Sequence, residues 1–204
     1  MKAAAFVRYH SGDGTGHVAW AFEVEGPYAV CGSVENHSGH FFTPATDMGY
    51  WDTLGTDPAC DMRERSYDDV KWIEVQRANP LAAYRTMLWI KTQAYYAIHR
   101  NCEDDVYDIL RAYGVKHLPP PLLHWFPKGW FHALPALAMA SISNCRPEAA
   151  GGIPRPKITE KLVRAKPRRP TWRQPWHPHF HLLKLQKFSH FIRHMRLWAK
   201  HAKR

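Results

Sequence analysis

A cysteine at the mouth of a helix, a histidine at the head of a strand and a polar residue on the neighbouring strand are the residue types that acyl chemistry requires. The segment NCEDDVYDILRAYG (Asn101–Gly114) supplies the first. Asn101 is a natural cap, Val106, Ile109, Leu110 and Tyr113 recur at helical spacing, and Gly114 is the permissive residue just past the end. Cys102 then lies in the first turn, where unsatisfied N–H groups favour a thiolate and can donate to an oxyanion. Glu103, Asp104 and Asp105 oppose that ionisation unless their carboxylates turn outward to cap the helix. Cys102 therefore needs a base. His17, behind the glycine-rich turn SGDGTGH and on the same strand face as the small Ala19 and Ala21, is the best placed candidate. Glu35 or Asn36 on the next strand would orient its ring.

The same residues have plainer readings. A cysteine on a helix is most often a packing residue, a lone histidine is most often structural, and Glu35 or Asn36 could merely solvate a hairpin end. Cys31, Cys60 and Cys145 lack any comparable setting and read as packing residues. His37, His40 and Asp47 match no zinc spacing, and the HPHFH run (His177, His179, His181) reads as part of a basic tail, so no metal or other cofactor is expected.

The elements that must position these residues follow from periodicity. In TGHVAWAFEV, Val18, Trp20, Phe22 and Val24 alternate with His17, Ala19, Ala21 and Glu23, which predicts a strand. The break at EGP and the run Tyr28–Asn36 predict its antiparallel partner. Pairing Val24 with Tyr28 sets His17 opposite Glu35, and a change of one residue in the loop sets it opposite Asn36. Residues 37–65 lack sustained periodicity and read as a long lid or binding loop. Ser66–Val75 predicts a third strand. Asn79 and Pro80 open a helix whose face carries Leu81, Tyr84, Leu88, Tyr95 and Ile98, expected to end near His99. KHLPPPLLHWFPKG reads as a rigid connection. Trp130–Ser143 is the most apolar stretch, but it contains His132 and Pro135 and falls short of the ~20 residues a membrane-spanning helix needs.

Charge divides the chain. Residues 1–154 carry 13 Lys and Arg against 17 Asp and Glu, whereas residues 155–204 carry 15 against 1. The organisation expected is a globular domain over residues 1–150, a Pro- and Arg-rich linker over 151–179, and a basic amphipathic helix over 180–204. In that helix Leu185, Phe188, Phe191, Ile192, Met195 and Trp198 form one stripe, surrounded by lysines and arginines. Its expected partners are an anionic membrane surface, a nucleic acid or an acidic protein, the acidic body of the same chain included. Four cysteines without framework spacing, and an N-terminus without a signal-peptide core, suggest a reducing, cytoplasmic setting, with peripheral membrane association open.

The order of a histidine opening a strand (GHVAWAF), a polar residue on the next (GSVEN), and much later NC with acids at a helix start resembles the circularly permuted branch of the NlpC-type papain-like superfamily, which includes lecithin retinol acyltransferase. The resemblance spans roughly residues 15–114, with Asp104 where that group often has a histidine. It implies an α+β fold with a small antiparallel sheet packed against helices, Cys102 as nucleophile and His17 as base. It also implies cleavage of, or acyl transfer from, a peptide, isopeptide or ester substrate. The contrasting expectation is a non-enzymatic binding protein whose basic helix does the work.

Overall fold

The computed structural model describes residues 1–11, 14–97, 100–124, 126–136, 138–142, 162 and 164–171. Eight strands are present among them: β1 (Lys2–Arg8), β2 (His17–Glu25), β3 (Tyr28–Glu35), β4 (Phe42–Thr43), β5 (Gly49–Gly55), β6 (Asp69–Glu74), β7 (Tyr95–Tyr96) and β8 (Ala138–Ser141). The helices are α1 (Pro58–Glu64), α2 (Pro80–Ile90), α3 (Cys102–Tyr113) and α4 (Pro127–Ala133), with a 3-10 turn at Pro121–Leu123. Six strands form one antiparallel sheet in the order β5-β3-β2-β1-β6-β8, and β4 pairs with β7 in a separate ribbon. The chain is thus α+β, as its sequence suggests.

Strand alternation separates two cores. Ala3, Ala5, Val7, Val18, Trp20, Phe22 and Val24 face a layer built by α2, α3 and α4, which contributes Met87, Ile90, Val106, Ile109, Leu110, Trp130 and Phe131. Ala4, Phe6, Ala19, Ala21 and Cys31 face the opposite way, onto Met62 of α1, Tyr67 and Val70. Small alanines in β1 and β2 let large rings close over the sheet on both sides. Removing this apolar surface from water is the main stabilising term, at ~25 cal/mol per Å².

The β2–β3 hairpin forms as expected and carries one irregularity. Glu25 pairs with Tyr28, and a bulge between Glu23 and Glu25 then shifts the ladder so that Glu23 pairs with Ala29 and Trp20 with Gly32. Beyond the bulge this is the offset that sets His17 level with Glu35. Gly32 has a packing reason: a Cβ there would lie 2.6 Å from the Trp51 carbonyl oxygen and 2.8 Å from the Trp20 ring.

Several expectations fail. β1, unanticipated, lies between β2 and β6, so Ser66–Val75 supplies not the third strand but the sixth, β6. Residues 37–65 are no open loop, because they contain β4, the sheet-edge strand β5 and α1, which Asp57 caps by accepting from Ala59 and Cys60 N–H. The α2 helix stops at Ile90 rather than near His99. Its chain turns over Lys91–Gln93, and Tyr95 and Tyr96 leave to pair with Thr43 and Phe42. Its buried face is Ala83, Thr86, Met87 and Ile90, rotated from the one expected. The connection after α3 holds the unanticipated α4.

No helix among the described residues is long and apolar enough to cross a membrane. The basic helix expected at 180–204 and most of the linker lie outside the described residues. Within the linker range, Leu162 is buried in the larger core and Arg168 N–H donates to the Arg85 carbonyl at 3.1 Å.

Gly32→Ala should overpack the hairpin and cost about 1–3 kcal/mol, whereas Gly129→Ala, in α4 with nothing within 4 Å of a new Cβ, should be neutral or mildly stabilising. Thermal denaturation of the two variants checks this ordering.

Candidate active site

The site begins with the cap of α3. Asn101 Oδ1 accepts from the backbone N–H of Glu103 at 3.0 Å and of Asp104 at 3.2 Å, and Asp104 Oδ2 accepts from Asn101 N–H at 3.4 Å. This reciprocal box fixes the first turn, and Gly114 closes the last with φ 113°. Of the three acids, Asp104 therefore turns to the cap. Glu103 and Asp105 do not turn outward; each is only 2% exposed.

The cap drives Cys102 into the sheet. Its side chain is 2% exposed, within the helix-side core. The backbone N–H groups of Val18 and Glu103 donate to the sulfur and favour a thiolate. Burial acts the other way and dominates, with Glu103 and Asp105 adding to it, so the thiol is pushed up to about 12. The backbone N–H of Cys102 is itself engaged by the Tyr95 hydroxyl oxygen.

His17 sits at the head of β2 behind Gly14 and Gly16, whose φ angles of 82° and 84° turn the chain into the strand. A Cβ on Gly16 would come within 2.9 Å of Lys128 Cβ, so α4 holds this turn from outside. The imidazole is 7% exposed. Its Nε2 lies 2.6 Å from Ser33 Oγ, and its ring is tilted at 43° over Tyr67 with centroids 6.0 Å apart. Burial lowers its pKa to about 4, Arg8 and His37 push the same way, and Glu35 pushes upward.

Three of the four expected residues occupy one end of the sheet. His17 shares a face with Ala19 and Ala21, and Cys102 packs on the other, among the neighbours of Val18 and Trp20. The Val18 N–H, one residue along the backbone from His17, is directed at the sulfur at the end of β2 that lies beyond the last β2–β3 pair, Trp20–Gly32. Glu35 joins the cluster through charge. It lies 3.5 Å from Arg8 Nη2 and 3.4 Å from Trp51 Nε1, with His37 Nδ1 4.0 Å away. Asn36 serves the following loop, donating to the His40 carbonyl at 2.7 Å and accepting from Ser38 and Thr43. The residue that does hold the His17 ring, Ser33, was missed. Its only signal is parity: it shares a strand face with Cys31 and Glu35, two positions from the residue level with His17.

The other candidates are placed as follows. Cys31 is buried and free, its Sγ 3.7 Å from Asp61 Oδ2, and both burial and that carboxylate raise its pKa. Cys60 is not a packing thiol but is disulfide-bonded, which is at odds with the reducing setting expected. Among the described residues no group of three His, Cys, Asp or Glu side chains could hold a metal. His177, His179, His181 and Cys145 lie outside those residues. No family model matches this chain, and neither a curated protein nor a solved structure matches it.

His17 titrates at about 4 in the folded chain, against an ordinary 6.5. Between these values the unfolded chain binds the extra proton, so His17 leaves stability intact above pH 6.5, erodes it as pH falls towards 4, and adds no further slope below. The gap corresponds to roughly 3 kcal/mol. His17→Gln should remove that component, and urea titrations of both proteins from pH 7 to pH 4 should show the wild type losing more stability by about this amount.

Proposed function

We propose that this chain is a thiol-dependent hydrolase or acyltransferase on a permuted papain-like scaffold, with Cys102 as nucleophile and His17 as base. The observation that carries the reading is the contact of the Cys102 sulfur with the Val18 N–H, which brings a helix-mouth thiol to the residue next to His17 at the head of β2. The resemblance of the GHVAWAF, GSVEN and NC segments to the permuted group supports it independently.

Chemically, His17 takes the thiol proton as the sulfur attacks a carbonyl carbon. The S–C bond forms, the carbonyl π pair moves to oxygen, and the Cys102 N–H, released from the Tyr95 hydroxyl, donates to that oxyanion. Collapse of the intermediate expels the amine or alcohol with the proton from His17, leaving an acyl-thioester. Water or a second nucleophile, deprotonated by His17, then frees the cysteine. A neutral imidazole and a neutral thiol are the resting state these pKa directions require, so the proton moves only with bond formation. The substrate is an amide, isopeptide or ester.

A second reading is favoured by one observation: Glu103 and Asp105 are buried beside the sulfur and disfavour its anion. It makes the globular part a scaffold without turnover and leaves function to the basic segment over 180–204, acting on an anionic membrane surface, a nucleic acid or an acidic protein.

An iodoacetamide probe at pH 8 separates the two. The enzymatic reading predicts labelling at Cys102 that falls about tenfold or more in His17→Ala, because the base is lost. Equal labelling of both proteins, read by peptide mass spectrometry, contradicts the pairing. Under the scaffold reading Cys102→Ala leaves binding intact, and truncation after Gly152 abolishes it.

A further inference from the structure

The third member of the site was expected to be Glu35 or Asn36, yet the group nearest the imidazole is a hydroxyl. Ser33 is 0% exposed, and its Oγ lies 2.6 Å from His17 Nε2. A neutral imidazole has one N–H and one lone pair, so what stands at Nε2 decides what Nδ1 can do. We propose that Ser33 is the positioning residue of this site: its Oγ accepts the Nε2–H of His17, which holds the ring in the tautomer whose Nδ1 lone pair is left to take a proton.

Two features of the surroundings leave this contact to Ser33. Tyr67 lies over the His17 ring with centroids 6.0 Å apart, limiting its rotation away from Ser33. The Glu35 carboxylate is engaged by Arg8 at 3.5 Å and by Trp51 Nε1 at 3.4 Å. It serves as a charge near the site and leaves the contact with the ring to Ser33.

The charged and titratable groups around the imidazole come from every neighbouring element: Arg8 on β1, Glu35 at the end of β3, His37 just after it, and Tyr67 before β6. None of them makes the 2.6 Å contact to a ring nitrogen that Ser33 makes.

The assignment rests on His17 acting as base, but its test does not need turnover. Full-length protein with ¹⁵N-labelled histidine is examined at pH 7, where His17 is neutral. In the wild type the His17 Nε2 resonance should be that of a protonated ring nitrogen and Nδ1 that of an unprotonated one. Ser33→Ala should lose this preference and lower the iodoacetamide labelling rate at Cys102 about tenfold, and Ser33→Thr, which keeps the hydroxyl, should restore both. An Nδ1–H tautomer in the wild type, or a tautomer unchanged in Ser33→Ala, overturns the proposal. Should Ser33→Ala not fold, the wild-type tautomer and its retention or loss in Ser33→Thr decide. Failure of the nucleophile reading looks different: the tautomer behaves as stated while Cys102 takes no label.

Discussion

The period of two along β2 is the constraint from which the rest follows. It sends Val18, Trp20 and Phe22 under the helices and His17, Ala19 and Ala21 towards Tyr67 and α1. A thiol on α3 and an imidazole on β2 therefore belong to different layers along most of the strand. The thiol meets β2 at its first residues, beyond the last β2–β3 pair, where the Val18 N–H is directed at the sulfur. The chain fixes this end from three directions: the Asn101–Asp104 box sets the first turn of α3, Lys128 closes over Gly16, and Ser33 holds the ring of His17.

Burial then sets the electrostatics. Desolvation raises the thiol and lowers the imidazole, and both shifts favour the neutral pair. Two backbone N–H groups at the sulfur oppose this without overcoming it. On the proposed reading, a substrate carbonyl would take the place of the Tyr95 hydroxyl at the Cys102 N–H. Tyr95 belongs to the β4–β7 ribbon, whose Phe42 and Tyr96 rings lie 4.8 Å apart and whose Phe41 and Phe42 are about half exposed. Access to the Cys102 sulfur therefore involves the ribbon as well as the sheet.

What was legible in the sequence was whatever has one wet face or a cap. β2 and β3 alternate clearly, the register past the bulge follows from their pairing, and α3 is bounded by Asn101 and Gly114. β1 was not legible because KAAAFVR is buried on both faces and so shows no alternation, and its alanines favour helix as an isolated signal. β5 was not legible for the opposite reason: its side chains are mostly half-buried on both faces, so no period emerges. Beyond α2, Tyr95 continues the helical stripe by coincidence, and the pairing of β7 with β4 overrides it. Of the site, Cys102 and His17 could be read from their elements. Ser33 could not, since a small hydroxyl inside a strand shows its role only once the register and the ring orientation are known.

The central claim is that the Cys102 sulfur sits at the opening of the β2–β3 ladder, against the residue that follows His17. The amide ¹H–¹⁵N spectrum of Cys102→Ala against wild type tests it most directly. The Val18 and Glu103 amides, which donate to the sulfur, should shift more than the other amides of β2 and of α3 beyond residue 102 itself. A Val18 amide that stays in place while its neighbours on α3 move would mean that the thiol does not reach the strand, and the site would have no nucleophile.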